Sequence, residues 1–340
     1  MLKAAIVGLG SIYPMHTKPL VAQGIPIAAV CDKDLEKVRS VAQELGAKAY
    51  TDYKEMLTDG GFDVLHICLP HYLHAPVAID ALNAGYHVLT EKPMATTIAD
   101  AQKMISAAKA NNVYLGVIYQ NRYSPGAMLI KETLTSGELG AVLNGYIRVT
   151  WNRGEKYYTE SEWRGKWATE GGGVLINQSI HSFDMVNFFL GQPTSVQASI
   201  ANRAHPYIEV EDVAEGVITY GSAKVSFYVS TIHPYDAPAC IEIFCEHGKA
   251  SLVGEDATIE FANGKKITAG ADKAAQQQFG MKSYWGVSHI KQISDFYKSL
   301  KSGKSLAIGG EQGLLTQRLI NGIYESAKIG KTIDYHNHMV

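Results

Sequence analysis

The decapeptide Lys3-Ala-Ala-Ile-Val-Gly-Leu-Gly-Ser-Ile12 decides how this chain is read. Its first half, Lys3–Val7, reads as a strand with no polar alternation, the pattern of a strand covered on both faces. Gly8 and Gly10 close that strand and open a helix expected over Ile12–Gln23. Glycines so spaced let the chain turn tightly and bring the backbone of Gly8, Gly10, Ser11 and Ile12 against a pyrophosphate at a helix N-terminus. The third glycine of the dinucleotide fingerprint is missing, because Tyr13 occupies its place.

Outward from this stretch, short apolar runs keep alternating with helical ones. Ile25–Cys31, Phe62–Cys68, Tyr86–Leu89 and Val113–Val117 read as strands; Leu35–Leu45, Leu73–Asn83 and Ile98–Asn111 read as helices, the first closed by Gly46. That order predicts a doubly wound parallel sheet. Asp32 ends the second strand, about 20 residues past the glycines, where a carboxylate accepts both ribose hydroxyls of an adenosine. It repels a 2′-phosphate and so favours NAD, while Lys33 beside it leaves NADP possible. The other reading of Asp32 is a helix N-cap, a task for which Asp34 is better placed. Ligands of such sheets bind at the carboxyl ends of the strands. Cys68-Leu-Pro-His71 ends one strand and Thr90-Glu-Lys-Pro93 the next, so both are expected to face the crevice of Gly8 and Asp32.

The chain has 340 residues, which favours two domains, expected at 1–120 and 121–340. With 31 basic and 33 acidic residues and a net charge of −2, it offers no electrostatic reason to bind nucleic acid or an anionic membrane. No run of about 18 apolar residues occurs, so no span is expected, and the N-terminal apolar stretch lacks a cleavage site. Cys31, Cys68, Cys240 and Cys245 show no metal spacing and read as free thiols of a reducing cytoplasm. His71 and His74 are three apart, and His205, His233, His336 and His338 have no evident partners; no metal is expected.

Past a boundary near residues 118–122 the pattern changes. Asn144–Asn152, Ser195–Ala201, Val213–Tyr220, Lys224–Ser230 and Cys240–Cys245 alternate, predicting a mostly antiparallel sheet with one open face. Among them lies Glu170-Gly-Gly-Gly-Val-Leu-Ile-Asn-Gln-Ser-Ile-His181, which predicts a helix over Val174–Leu190 stopped by Gly191. Asn177, His181 and Asp184 then fall at i, i+4 and i+7 on one face, although a buried, satisfied histidine is the alternative for His181. Arg122 and Arg164 are candidates for a cofactor phosphate, the carboxamide region or a substrate anion, or else form interdomain ion pairs. Tyr157, Tyr158 and Trp163 make an aromatic loop suited to sugar faces or to plain packing, and His289 opens a late helix.

These residues carry a resemblance. GLGxIxxxH at Gly8–His16, CLPHYLH at Cys68–His74, EKP at Glu91–Pro93 and WRGKWATEGGGVLINQSIH at Trp163–His181 are similar to the glucose–fructose oxidoreductase/inositol dehydrogenase (Gfo/Idh/MocA) family. Gly309-Gly-Glu311 and Ile323–Ala327 continue the match across the chain. The resemblance implies an α/β chain: an N-terminal Rossmann domain, then an α/β domain with a large open sheet. It places the nicotinamide near Lys92, with Leu69, Pro70, His71, His74 and Glu91 along the cofactor crevice, and a sugar or cyclitol between the domains. Lys92 matches the family's catalytic lysine and His181 its histidine. Many members carry aspartate where this chain has Asn177, and an amide can orient an imidazole but cannot stabilise an imidazolium as a carboxylate does.

The expectation that follows is an NAD(P)-dependent dehydrogenase of a secondary alcohol on a sugar, cyclitol or nucleotide sugar. His181 is the expected base, Lys92 the group steadying the alkoxide, and Asp184 a grip on a substrate hydroxyl. Two other classes compete: an NAD-dependent glycoside hydrolase with transient redox, and a non-catalytic dinucleotide-binding regulator. An open sheet face also predicts a homodimer or homotetramer through the C-terminal sheet.

Overall fold

In this computed structural model, residues 1–270 and 288–335 are described; His336 and His338 lie outside that set. The chain divides into two units: Met1–Tyr119 with His289–Leu314, and Gln120–Ser288 with Leu315–Val340.

The first unit is built on a six-stranded sheet: β1 (Ala4–Val7), β2 (Ile27–Cys31), β3 (Lys48–Tyr50), β4 (Val64–Ile67), β5 (His87–Thr90) and β6 (Leu115–Val117). Their order is β3-β2-β1-β4-β5-β6 with every pair parallel. Chain order reverses beside β1, which makes its carboxyl end the switch point where such sheets take ligands. All four residues of β1 are buried, as a run without alternation requires. Five helices pack on this sheet: α1 (Pro14–Ala22), α2 (Leu35–Leu45), α3 (Tyr53–Asp59), α4 (His71–Asn83) and α5 (Ile98–Ala110). Asp34 caps α2 by accepting the Lys37 N–H, and Gly46 ends it at φ 64°. β3 and α3 were not expected; β3 is a three-residue edge strand with no buried residue, too short and polar to announce itself.

A late helix belongs to this unit as well. α9 (Ser288–Ser302) contributes Ile293, Phe296 and Tyr297 to the same core as Ile6, Val64 and Leu89. Gly116 permits this, because a Cβ there would lie 2.8 Å from the Phe296 ring. Gln292 accepts the Tyr119 N–H (3.0 Å) and donates to the Val117 carbonyl (2.7 Å), satisfying polar backbone at the sheet edge. The second domain expected over 121–340 is therefore interrupted, since β6 needs α9 to cover it.

The second unit carries nine strands: β7 (Val142–Thr150), β8 (Ser195–Ala201), β9 (Val213–Tyr220), β10 (Ala223–Ser230), β11 (Cys240–Cys245), β12 (Gly248–Val253), β13 (Asp256–Phe261), β14 (Lys266–Ala269) and β15 (Ile333–Asp334). Their order is β14-β13-β12-β11-β7-β10-β9-β8-β15, antiparallel except for the parallel pair β7–β10. On β10, Val225, Phe227 and Val229 are buried while Lys224, Ser226 and Tyr228 point out, the alternation of a half-covered sheet. The inner face meets α8 (Ile180–Leu190), whose Phe183 sets its ring edge-on to Phe227 at 5.2 Å. α6 (Pro125–Ser136) starts at a Ser124 cap with proline in its first turn. α7 (Glu155–Thr159) is short, and α10 (Gly310–Ile329) enters this unit from Leu315 onward.

The helix expected from Val174 begins only at Ile180. Glu211 explains this, taking the N–H groups of Gly173 and Leu175 on its carboxylate and that of Val174 on its carbonyl. The Ser179 hydroxyl meanwhile donates to the Val174 and Leu175 carbonyls. Asn177 thus sits on a turn ahead of the helix that carries His181 and Asp184, and the proposed i, i+4 relation does not hold. No described helix is long and apolar enough to cross a membrane.

Candidate active site

In the first unit the glycine turn is locked to its neighbours. Gly8 has φ 89°, and a Cβ on it would sit 2.5 Å from the Cys68 carbonyl oxygen, so only glycine lets the turn rest on the loop after β4. At Gly10 a Cβ would meet nothing within 4 Å, so the backbone of that turn opens onto free space. The Asp32 carboxylate accepts the Leu9 N–H (2.7 Å) and the Asp34 N–H (3.0 Å), which latches β2 to the turn. Its oxygens keep lone pairs for a ribose diol. Lys37 Nζ lies 3.8 Å away, and Lys33 is exposed. Ser11 is exposed; Ile12, Leu69 and Pro70 are half-buried at the same strand ends. A narrow turn, open backbone and a latched acid fit a dinucleotide.

His74 and Glu91 do not face that space. The His74 ring is fully buried, with Nδ1 2.7 Å from the Pro93 carbonyl and Nε2 2.8 Å from that of Leu69. It braces the two strand-end loops, the correction to its expected cofactor contact. Burial pushes its pKa below the ordinary imidazole value. His71 opens α4 and is also buried. Glu91 turns inward: Oε1 lies 3.0 Å from His16 Nε2 and 3.4 Å from His289 Nε2, while Oε2 accepts the Lys92 N–H at 3.2 Å. Burial alone would raise this carboxyl, but hydrogen bonds from His16 and His289 hold it well below the usual range.

The chain of bonds continues inward. His16 Nδ1 is 2.8 Å from His66 Nδ1, and His66 Nε2 is 2.9 Å from the Tyr297 hydroxyl. Burial, then the neighbouring His16, pushes His66 well below its ordinary pKa, so its ring is neutral. With Glu91 ionised, His16 Nε2–H donates to it, and the neutral His66 ring, one nitrogen a donor and the other an acceptor, links that pair to the Tyr297 hydroxyl. Lys92, half-buried, leaves the end of β5 directly after this anchored acid.

In the second unit Asn177 and His181 are both half-buried. Asn177 Nδ2 donates to Glu170 Oε1 at 2.6 Å and to the Tyr157 hydroxyl at 3.2 Å. Gln178 Nε2 donates to the same hydroxyl at 3.1 Å. The Tyr157 ring is already taken, with Arg164 at 4.2 Å, Arg153 at 5.4 Å and the edge of Tyr158 at 5.0 Å. Its expected role of stacking on a sugar face therefore gives way to its oxygen. Burial raises the Tyr157 pKa although Arg164 pulls it down. Trp163 is half-buried beside Arg164, at 5.2 Å.

Arg122 and Asp184, expected to hold a cofactor phosphate and a substrate hydroxyl, bind each other. Arg122 Nε and one terminal nitrogen donate to Asp184 at 2.8 and 2.6 Å, and Thr316 Oγ1 adds a bond of 2.8 Å. Their side chains are 9% and 1% exposed, and Arg122 is in an ion pair within the second unit, not in the interdomain pair expected as its alternative. Sequence reasoning gave no role to Glu170, Gln178, His16, His66 or Tyr297. A histidine inside the wholly buried strand Val64-Leu-His-Ile67 was a usable signal, because it needs a polar partner.

Known proteins share this fold. Residues 2–119 match the oxidoreductase family with an NAD-binding Rossmann fold (GFO_IDH_MocA), and residues 128–251 match the GFO/IDH/MocA C-terminal domain. The inositol 2-dehydrogenase of Salmonella paratyphi B is 27% identical over 319 residues, covering 89% of this chain and 87% of its own. The WlbA dehydrogenase of Bordetella pertussis, solved with NADH and UDP-GlcNAcA, superposes with a TM-score of 0.86 at 28% identity over 98% of both chains. Levoglucosan dehydrogenase with NADH and levoglucosan shares the fold, with a TM-score of 0.87 at 22% identity over 98% of both chains. With both of its domains matched, the chain belongs to the Gfo/Idh/MocA family of oxidoreductases, and its first unit is an NAD-binding Rossmann domain.

Proposed function

We propose that the protein is an NAD-dependent dehydrogenase that interconverts a secondary alcohol and a ketone on a sugar or nucleotide sugar. The observation that carries this reading is the row of groups along one edge of the parallel sheet: the Gly8 turn, Asp32 latched to it, and Lys92 at the end of β5. NAD, when bound, accepts the hydride. The protein then has to take the hydroxyl proton, steady the oxygen and orient the sugar. His181 takes the proton, the Lys92 ammonium donates to the developing alkoxide, and Asn177 hydrogen-bonds the substrate. Arg164, half-buried between Tyr157 and Trp163, is the cation assigned to an anion on the substrate or cofactor. The outward face of the nine-stranded sheet is assigned to a second copy of the chain, and four buried free cysteines suit a reducing compartment.

The test is NADH formation by the purified protein with UDP-N-acetylglucosaminuronic acid, other UDP-sugars, myo-inositol, levoglucosan and simple aldoses. NADH is expected with at least one of these. Lys92→Ala and His181→Ala should each lower kcat/KM by about a hundredfold or more. Near-normal turnover in both variants overturns the assigned roles. Silence across the panel with NAD still bound overturns the dehydrogenase reading, and glycoside cleavage without net NADH replaces it with the hydrolase.

A further inference from the structure

Glu170 is wholly buried, on the segment just before the glycine run. Both of its carboxyl oxygens accept N–H groups: Oε2 that of Gly165, Oε1 that of Asn177 Nδ2. A backbone N–H cannot reverse its polarity, so the Gly165 contact fixes which kind of group residue 170 presents there. The remaining oxygen then selects the amide nitrogen of Asn177, and the amide cannot turn over without setting its carbonyl against a carboxylate. We propose that Glu170 is a positioning residue that fixes the Asn177 amide, and that this pairing is why residue 177 of this chain is an amide rather than an acid.

The chemistry of the alternatives follows from the same geometry. An aspartate at 177 would set two carboxyl groups within hydrogen-bond distance in a buried pocket, and such a pair retains a shared proton. A glutamine at 170 must give its oxygen to Gly165 and turn its Nε2 towards Asn177, so the Asn177 amide flips and presents the opposite group. Exchanging the two, Glu170→Gln with Asn177→Asp, restores a donor facing an acceptor. Among the described residues, the titratable and charged groups facing Glu170 include Tyr157 and Tyr158 on α7, Tyr324 on α10, which also donates to Glu211, and Arg164 lying over the Tyr157 ring. Burial raises all three phenols while Glu211 is pushed up to about 7, so it is the pH-dependent difference between Asn177→Asp and wild type, and neither profile alone, that belongs to the carboxyl pair.

The experiment compares wild type, Asn177→Asp, Glu170→Gln and the exchange variant by thermal melting from pH 5 to 9. It adds kcat/KM across that range on whichever sugar reduces NAD. Asn177→Asp should melt several degrees below wild type at pH 8 and close the gap towards pH 5. The exchange variant should follow the wild type. In kcat/KM each single variant should lose about tenfold or more at pH 8, Asn177→Asp recovering as pH falls, and the exchange variant should lose far less than the two losses combined. A melting profile of Asn177→Asp parallel to wild type, or single losses that simply multiply in the exchange variant, would overturn the proposal. The kinetic arm rests on the dehydrogenase reading; the melting arm does not. If no sugar reduces NAD that reading falls, and the melting profiles alone still decide whether Glu170 fixes the amide.

Discussion

Replacing Asp184 by asparagine separates two roles that one carboxylate cannot hold together. Asp184 accepts three hydrogen bonds, two from Arg122 and one from Thr316, and its side chain is 1% exposed. An asparagine keeps the volume but turns an N–H against one of those donors and removes the counter-charge that Asp184 gives the buried Arg122 guanidinium. Breaking a buried pair from one side costs about 3–5 kcal/mol. At roughly 2–4 °C per kcal/mol for a unit of this size, that is a loss of roughly 6–20 °C in Tm. Replacing both partners by leucine removes charge and counter-charge together and should recover most of that loss. Melting followed by circular dichroism, with KM measured on the same samples, reads both quantities. If Asp184→Asn melted within about 2 °C of wild type while KM rose tenfold, Asp184 would be a substrate grip and the structural role argued above would be refuted.

Three further outcomes follow from the first unit. Gly8→Ala places a Cβ 2.5 Å from the Cys68 carbonyl at φ 89°, so NAD affinity by calorimetry should fall at least about tenfold; unchanged affinity would mean the turn tolerates a shift. Asp32→Ala should narrow the preference for NADH over NADPH by about tenfold or more in binding titrations, since it removes the acceptor for the ribose diol and the charge opposing a 2′-phosphate. Acid should destabilise the fold through His66, whose folded pKa is depressed: its contribution is whole above the unfolded value of about 6.5 and is lost as pH falls. Glu91, also depressed, acts in the same direction below its ordinary range, whereas Glu211, pushed by burial up to about 7, favours the fold on its acid side. The decisive quantity is therefore the difference between wild type and His66→Asn, whose Tm should fall less between pH 7 and pH 5; identical slopes would contradict a neutral buried ring.

What the sequence disclosed follows from the range of the forces involved. Strands covered on both faces declare themselves as apolar runs, and β1, β2, β4, β5 and β6 were all legible within two residues or so of their observed bounds. The hairpins β12–β13 and β13–β14 also left local marks, Gly254-Glu255 and Asn263-Gly264, the second a strong two-residue turn signal, and they went unread rather than unwritten. Long-range contacts leave no such mark. Tyr297 meets His66 across 231 positions, and Arg122 meets Asp184 across 62. No periodicity connects these partners, and only the fold brings them together.

That difference decides which site residues could be ranked in advance. A short motif such as Gly8-Leu-Gly10 or Glu91-Lys-Pro93 is local, and its expected place at a strand end was found. Whether a charged residue inside a motif faces a ligand or the protein is set by what packs behind it. Glu91 and Lys92 are neighbours in sequence, yet the acid is buried against His16 and His289 while the lysine is half-buried at the strand end. The same holds for Glu170 and Asn177, where the acid is wholly buried and the amide only half. In both pairs a buried carboxylate fixes a polar group that stays partly accessible. Each carboxylate accepts N–H donors from the group it holds, so removing one donor should perturb that group before it unfolds the chain.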